Sequence, residues 1–156
     1  MNKIAMVFGL GSFVLCGSVL AQGSIPMPKA DANAKKSGDG YVVEVSNTGD
    51  KLPILPDVTI RRLVGGGGKN GDVDGSFEPI SLSILIPPGV QEACDLADSL
   101  TCYMIMPSMS AVYQGTDDEG NEGPVVLEKG TYCIDVKDLL TSLPLVYCPV
   151  SSFSVR

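Results

Sequence analysis

The stretch Tyr132-Cys133-Ile134-Asp135-Val136 decides the fold expected of this chain. Its large apolar side chains, at positions 132, 134 and 136, alternate with Cys133 and Asp135. Successive side chains of a β-strand point to opposite faces, so the three apolar side chains share one face. A sheet with one apolar face has to bury that face against another layer. The stretch therefore predicts a core strand of a β-sheet.

Short stretches with the same period lie on both sides of it, separated by Gly, Pro, Asn and Asp. The clearest is Ile80-Ser81-Leu82-Ser83-Ile84-Leu85-Ile86, which we expect to be a central core strand. Val90, Cys94 and Ala97 have helical spacing and predict one short helical segment within residues 90–100. Together these patterns predict an all-β fold, an antiparallel sandwich or barrel. The other predicted strands cover residues 41–45, 57–64, 101–106, 110–114, 125–127, 145–147 and 153–155.

One segment resembles a known β architecture. Val126-Leu127-Glu128-Lys129-Gly130-Thr131-Tyr132 is similar to the leucine, turn, glycine, tyrosine sequence that begins a strand in immunoglobulin-like and transthyretin-like sandwiches. The resemblance implies an antiparallel β-sandwich of immunoglobulin-like or transthyretin-like architecture. Two features depart from true immunoglobulin domains: Tyr132 directly precedes Cys133, where those domains place the tyrosine two residues before the cysteine, and the chain has no tryptophan.

The N-terminus has the plan of a signal peptide. Met1 to Ala21 contains Lys3, then an apolar run from Ile4 to Leu15, then small residues before Ala21. The apolar run is too short for a helix to cross a hydrocarbon core of about 30 Å. We predict a signal peptide over residues 1–21, with cleavage after Gly23 as the alternative, and a secreted or periplasmic product without a membrane span.

Residues 22–40 consist mostly of Gly, Ser, Pro, Ala, Lys and Asp and show no apolar periodicity. A segment of this composition does not bury enough apolar surface to offset its ordering entropy by itself. We therefore expect a flexible leader over residues 22–40, which could also serve as a docking arm. A single β-rich domain is expected over residues 41–156.

Export changes how the cysteines are interpreted, because an oxidising compartment favours disulfides. Four cysteines follow the predicted signal peptide, at positions 94, 102, 133 and 148, and four cysteines allow three pairings. We favour Cys94 with Cys102 and Cys133 with Cys148, since short loops close easily. Each bond would stabilise the fold by roughly 2.5–3 kcal/mol in the chain-entropy model. The predicted domain is thus disulfide-braced.

The charge of the chain limits its partners. Removal of residues 1–21 takes away Lys3, which leaves 10 Lys and Arg against 18 Asp and Glu, a net charge of −8. Nucleic acid is a poor partner for such a chain, because its phosphates would be repelled. Anionic membrane surfaces are disfavoured for the same reason. The expected partners are other envelope or extracellular proteins, including a second copy of this chain.

The sequence Asn70-Gly71-Asp72-Val73-Asp74-Gly75-Ser76-Phe77 resembles the calcium loop of EF-hand proteins. In such a loop the first, third and fifth residues supply oxygen ligands, and glycine at the sixth makes the turn. Asn70, Asp72 and Asp74 fill the three ligand places, but Ser81 stands where the twelfth residue is normally a bidentate Glu. The alternative interpretation is a glycine-rich connection between two strands. We therefore expect no cofactor unless this loop binds calcium.

The chain contains no histidine, which removes Ser-His-Asp and Cys-His nucleophile activation. Carboxylate pairs remain, namely Asp95 with Asp98 and Asp117 with Glu119, without a supporting motif. We therefore expect no enzyme but an exported structural or interaction module, such as a subunit or accessory of a bacterial surface appendage, secretion or envelope assembly. The alternative is a periplasmic or extracellular protein that binds a small ligand or calcium.

Overall fold

The computed structural model describes residues 25–65, 71–97 and 100–156. Within these ranges the chain is mostly antiparallel β-sheet with one α-helix, and none of its helices is long and apolar enough to cross a membrane. The elements are β1 (Ala30–Ser37), β2 (Gly40–Asn47), β3 (Pro56–Val64), β4 (Asp72–Val73), β5 (Ile80–Ile84), α1 (Pro88–Ala97), a 3₁₀ turn (Leu100–Tyr103), β6 (Ser110–Thr116), β7 (Glu122–Gly123), β8 (Gly130–Asp138), β9 (Pro144–Val146) and β10 (Ser152–Val155).

The strands form one nearly closed, barrel-like sheet in the order β1-β2-β6-β5-β3-β8-β10. The short strands β4, β7 and β9 pair with β3, β6 and β8 respectively. Strand β5 pairs with β6 at Ser83 and Ile84, and with β3 at Ile80 to Leu82, so it joins the two halves of the sheet. Strands β1 and β10 are the first and last strands in this order.

The pairing of β3 with β8 extends over eight residue pairs and contributes the most buried part of the core. Val58 lies opposite Val136, and Ile60 lies opposite Ile134. All four side chains are at most 1% exposed. Burial of an aliphatic side chain of this size contributes about 1.5–3 kcal/mol, so these two cross-strand pairs are a large part of the core. The alternation predicted for residues 132–136 is confirmed.

The strand expected at the centre of the core, residues 80–86, is shorter and less buried than its alternation predicted. β5 ends at Ile84, and of its residues Leu82 alone is fully buried, whereas Ile80 and Ile84 pack against the core half-buried. The reason is its position: β5 forms the narrow bridge between β6 and β3 and pairs with each over only two or three residues. Its apolar side chains are therefore covered on one side only.

Three segments differ from the sequence prediction in type. Residues 125–127, expected as a strand, form only an isolated bridge between Val125 and Tyr41. The stretch 101–106, expected as a strand, begins with the 3₁₀ turn, because Cys102 is bonded to Cys94 of α1. Only Ile105 keeps a strand-like contact, an isolated bridge to Ile54. The segment expected to be a flexible leader contains β1, which pairs with β2 along all eight of its residues. Ladder hydrogen bonds and the burial of Ala30 and Ala32 hold this polar segment in the sheet.

Residues 1–21, predicted to be a signal peptide, lie outside the described residues.

The disulfides join Cys94 to Cys102 and Cys133 to Cys148, the pairs favoured from their spacing. The second bond fixes the segment after β9 to β8. The Cys148 N–H also donates to Asp135 Oδ1 at 2.8 Å, and Arg61 Nε bonds Asp135 Oδ2 at 2.7 Å. Two structural disulfides are typical of proteins that fold in an oxidising compartment outside the cytosol.

Asp138 organises the end of β8 from a fully buried position. Its Oδ1 accepts hydrogen bonds from the N–H groups of Leu55 and Leu140, at 3.0 and 3.3 Å. Its Oδ2 accepts from the N–H and the hydroxyl of Thr141, at 3.2 and 2.6 Å. One carboxylate thus joins the start of β3 to the turn that follows β8, and all four contacts require an acceptor.

We expect Asp138→Asn to lower the free energy of unfolding by about 1–3 kcal/mol, because an amide NH2 would replace an acceptor oxygen and face a buried donor. Urea denaturation of the purified protein measures the change. The matched control is Asp118→Asn in the exposed β6–β7 turn, which should stay within about 0.5 kcal/mol of the wild type. Equal effects of the two substitutions would contradict this account of Asp138.

Candidate functional site

The predicted calcium loop is described in part. Asn70 lies outside the described residues, Asp72 is exposed on β4 opposite Val64, and Asp74 follows it. Asp74 Oδ1 accepts hydrogen bonds from the N–H of Ser76 at 2.9 Å and from its hydroxyl at 2.6 Å. These bonds, with a smaller contribution from the charge of Arg62, hold the pKa of Asp74 below its usual value. Asp74 therefore closes a local turn with Oδ1.

Among residues 25–65, 71–97 and 100–156, no three His, Cys, Asp or Glu side chains are grouped so that they could hold a metal ion. A calcium loop would thus need backbone oxygens or Asn70 to complete its ligands. The calcium hypothesis stays a prediction.

The calcium hypothesis predicts that added calcium raises the melting temperature of the purified protein and that a chelator reverses the rise, since a ligand bound to the folded state alone stabilises it. Asp74→Asn should remove the effect, because it replaces a charged oxygen ligand by a neutral one. Asp118→Asn is the control and should leave it intact. A melting temperature that calcium and chelator both leave unchanged would contradict the hypothesis.

The carboxylates considered for catalysis are engaged in local structure where they are described. Asp117 Oδ1 accepts hydrogen bonds from the N–H groups of Glu119 and Asn121, at 2.9 and 2.8 Å. The Asn121 amide also bonds the carboxylates of Asp117 and Glu119, so the pair orders the β6–β7 turn. Asp95 accepts from Gln91 one turn earlier on α1, and its proposed companion Asp98 lies outside the described residues.

The hydrogen bonds of Asn121, its backbone N–H first, lower the pKa of Asp117 from its ordinary value of 3.8. A lowered carboxyl pKa means that the ionised form favours the folded turn. The ordering is thus fully present above the ordinary value and is lost as the pH falls through the lowered one.

We therefore expect the amide resonances of Glu119 and Asn121 to keep their folded positions at pH 3.8 and to shift only below it. An NMR titration of the purified protein measures this. Asp117→Asn is the control and should abolish the acid-induced shift. A wild-type shift with its midpoint at or above 3.8 would show that these hydrogen bonds do not favour the ionised carboxylate.

A cleft of about 520 Å³ lies between β1 and the segment from β9 to β10. Residues 30–34 form one side and residues 145–147 and 150–153 the other, with Ile134 between them. Across it the Ser151 hydroxyl donates to the Ala32 carbonyl oxygen at 3.4 Å. Within the described part of the chain, no strand pairing joins β1 to β9 or β10. We call this gap in the barrel-like sheet the seam.

The backbone of β1 directs hydrogen-bonding groups into the seam. The Lys29 carbonyl accepts from Thr48 on the β2 side, so odd-numbered residues of this edge face β2. Because backbone groups alternate along an antiparallel strand, those of Ala30, Ala32 and Ala34 face the other way. The bond from Ser151 to the Ala32 carbonyl agrees with this assignment.

The opposite side of the seam is also an open edge. The Ser151 carbonyl accepts from Ile134 N–H, so Ser152 and Ser154 direct their backbone groups away from β8. The rim carries the apolar side chains Tyr147 and Val150, which are 56% and 51% exposed. Two strand edges and apolar side chains thus face one gap.

A second opening lies at one end of the sheet, where β3 begins and β5 and β8 end. It is a cavity of about 810 Å³, which we call the mouth cavity. Residues of α1 and of the 3₁₀ turn, two elements that Cys94–Cys102 joins, line one side of it. Its lining is largely apolar and consists of Leu55, Pro56, Leu82, Ser83, Ile84, Ile86, Pro88, Gln91, Leu100, Tyr103, Tyr113, Glu122 and Leu139.

Tyr113 of β6 is the unusual member of this lining. It is 3% exposed, and its hydroxyl has no hydrogen-bond partner among the described residues. Burial raises the pKa of Tyr113 above its usual value of 10.0, so the group stays a neutral donor. A buried hydroxyl without a partner costs free energy, and most folds avoid it.

No motif in the sequence marks the seam or the mouth cavity. The seam depends on the alternation Ala30-Asp31-Ala32-Asn33-Ala34, in which alanine gives too weak an apolar signal to predict a strand. Tyr113 is indistinguishable by sequence from a core tyrosine whose hydroxyl has a partner. Comparisons of the chain with protein-family models, with curated proteins and with solved structures found no match.

Proposed function

We propose that this chain is an exported, non-catalytic interaction module that binds an extended segment of another protein along the seam. The observation that carries the proposal is the pair of open strand edges that face each other across the cleft between β1 and β10. The module belongs to a surface, secretion or envelope assembly in a secreted or periplasmic location. The predicted signal peptide and the two disulfides support that location.

We also infer an immunoglobulin-like sandwich architecture. The order β1-β2-β6-β5 followed by β3-β8-β10 corresponds to strands A-B-E-D and C-F-G of the constant-type immunoglobulin fold. The Tyr132 hydroxyl donates to the Glu128 carbonyl oxygen at 2.8 Å, as the tyrosine corner of that fold does before strand F. This hydrogen bond supports the immunoglobulin-like choice over the transthyretin-like one.

The seam is suited to a β-strand as its occupant. An added strand gives main-chain hydrogen bonds to an exposed edge, and its alternate side chains fill pockets beside it. Here both edges offer such bonds, and Ile134, Leu145 and Phe153 supply apolar lining. A folded partner surface would leave the backbone groups inside the cleft unpaired, which disfavours it.

The negative charge of this chain limits which extended segments the seam can bind. The whole chain has a net charge of −7, and Asp31 lines the β1 side of the seam. We therefore infer an extended segment with apolar residues at alternate positions and basic residues flanking it. The absence of histidine from the sequence supports the non-catalytic part of the proposal.

Ala32→Pro tests the seam with little effect on the fold. Proline at position 32 removes an N–H that faces the seam and leaves the β1–β2 ladder intact, because position 32 does not bond to β2. With a photo-crosslinking residue at Asn33, we expect adducts with one defined partner protein in the cells that export the chain. Adducts should fall at least about fivefold in Ala32→Pro, since a backbone hydrogen bond is lost and the ring obstructs the added strand.

Lys36→Pro is the matched control, because position 36 lies on the same edge of β1 but outside the lining of the seam. It should leave adduct formation unchanged. Mass spectrometry should locate the crosslink in an extended segment of another protein. Adducts with a second copy of this chain alone would contradict the proposal. Equal adduct yields in Ala32→Pro and the wild type would overturn it.

A second candidate function, small-ligand binding, is favoured by one observation, the mouth cavity with its largely apolar lining.

A further inference from the structure

We propose that the mouth cavity is a docking groove for a basic amphipathic helix of a partner protein. The helix would place large apolar side chains in the cavity and direct lysine or arginine side chains toward the acidic elements beside it. The groove is separate from the seam, because the described residues that line the two sites do not overlap. The inference therefore does not depend on the partner proposed for the seam.

The cavity offers an apolar surface that the described part of this chain leaves uncovered. Its volume of about 810 Å³ is several times that of a cavity of about 150 Å³, which accommodates a benzene ring, so it can hold more than one large side chain. Ile84 and Ile86 of its lining are half-buried. Leu100 and Leu139 of the same lining remain 64% and 51% exposed. A docked helix that inserts apolar side chains from successive turns would cover these residues.

The helix α1 borders the cavity and keeps apolar side chains of its own exposed. Val90 and Leu96 are 51% and 84% exposed. Among the described elements, α1 packs extensively against none of the strands. It is joined to the 3₁₀ turn by Cys94–Cys102, and Cys94 is buried. A second helix beside α1 would therefore supply apolar contacts that the sheet does not.

The backbone around the cavity favours a helix over an added strand. The Leu55 N–H donates to Asp138 Oδ1 at 3.0 Å, and the Leu55 carbonyl accepts from Leu139 N–H at 2.9 Å. Pro56 and Pro88 have no N–H to donate. The cavity thus has few free backbone groups for a strand, whose affinity depends on main-chain hydrogen bonds. A helix forms its backbone hydrogen bonds internally and needs only side-chain contacts.

The charge of the elements beside the cavity specifies a basic partner. Residues 79–128, which include β5, α1, β6 and β7, contain eight Asp and Glu and no Lys or Arg, whereas the rest of the chain has 10 acidic and 11 basic residues. Glu122 lies in the lining itself. Gln91, also in the lining, donates to Asp95 Oδ1 at 2.7 Å, which places a second carboxylate beside it. Lysine or arginine on the flanks of a docked helix would complement these charges.

The same charges disfavour a second copy of this chain as the source of the helix. α1 is the α-helix of the described residues, and it carries Glu92 and Asp95 but neither Lys nor Arg. Two copies of α1 would therefore repel each other at the groove. An anionic membrane surface would be repelled in the same way. The occupant is thus a helix of a different protein.

Three synthetic peptides of about 16 residues, long enough to form a helix on binding, test these requirements. The first has leucines at helical spacing flanked by lysines, the second has the same composition with leucine and lysine alternating, and the third replaces the lysines of the first by glutamates. Affinity for the purified protein is read from the NMR shifts of Leu82 and Ile84, so binding at the seam does not enter it. Circular dichroism follows the helicity of the bound peptide.

We expect the basic helical peptide to shift Leu82 and Ile84 and to gain helicity. The alternating peptide should bind more weakly at these resonances, because its leucines do not share one face of a helix. The acidic peptide should not shift them. The proposal is wrong if the basic helical peptide leaves these resonances unmoved, or if either of the other peptides shifts them with equal affinity.

Leu100→Ser tests the apolar part of the groove. Affinity for the basic helical peptide should fall at least about fivefold, because the burial of a leucine side chain is lost. Leu96→Ser is the matched control: it changes an exposed leucine of α1 that does not line the cavity, and it should have a smaller effect. Equal losses in the two variants would show that the peptide does not occupy the cavity.

Glu122→Gln tests the charge. The affinity should fall by about 2- to 5-fold, the usual value of one exposed charge pair, and the difference should shrink as salt is added. The matched control is Asp72→Asn, at the opposite end of β3, which should leave the affinity unchanged. Equal effects of Glu122→Gln and Asp72→Asn would contradict the predicted charge contact.

The neutral dye Nile red separates this proposal from small-ligand binding. If Nile red shifts Leu82 and Ile84 and the basic helical peptide does not displace it, the cavity serves a small ligand and the helix proposal is overturned. Adducts at the seam should be unaffected by Leu100→Ser and Glu122→Gln. The proposals for the seam and for the mouth cavity therefore fail separately.

Discussion

The structure depends on the antiparallel pairing of β3 with β8. Two fully buried cross-strand pairs, Val58 with Val136 and Ile60 with Ile134, join these strands in the core. The other edge of β3 receives β4 and β5, and the other edge of β8 receives β9 and β10. Asp138 links the end of β8 to the start of β3 by a hydrogen bond, and the Cys133–Cys148 bond links β8 to the segment after β9. The remaining elements are positioned by these two strands.

The seam and the mouth cavity both result from the short strands that pair with the outer edges of β3 and β8. The outer edge of β8 is divided between β9 and β10, with residues 147–151 between them, so no continuous strand is available there for β1 to pair with. At the other side β5 ends after Ile84, and the chain leaves the sheet for α1. The seam and the mouth cavity thus both lie where a strand of the sheet is short. A site that needs open backbone edges or an apolar interior surface can form only at such places.

The parts of the fold that local chemistry determines could be predicted from the sequence. Strict alternation marked β8, and the short spacings of the four cysteines favoured the two pairs that the structure contains. The parts that depend on distant contacts could not. β1 is held by β2 rather than by its own composition, and residues 100–103 follow the constraint of the Cys94–Cys102 bond rather than their strand propensity. The alternation at residues 80–86 is the strongest in the sequence, and it correctly predicted a strand. It did not predict that this strand is only partly buried, because burial depends on the neighbouring strands, which the alternation does not specify.

The three alanines of β1 explain why this strand was not predicted and why the seam exists. A barrel closes when the inward side chains of its last strands fill the space between them and let their backbones pair. Ala30, Ala32 and Ala34 are too small to do this against Leu145 and Phe153, so space remains at the edge of the core. Ser151 crosses the gap with its side chain, where a closed sheet would have a backbone hydrogen bond. Larger residues at the alanine positions would be easier to recognise as a strand and would fill the cleft that the proposed interaction requires.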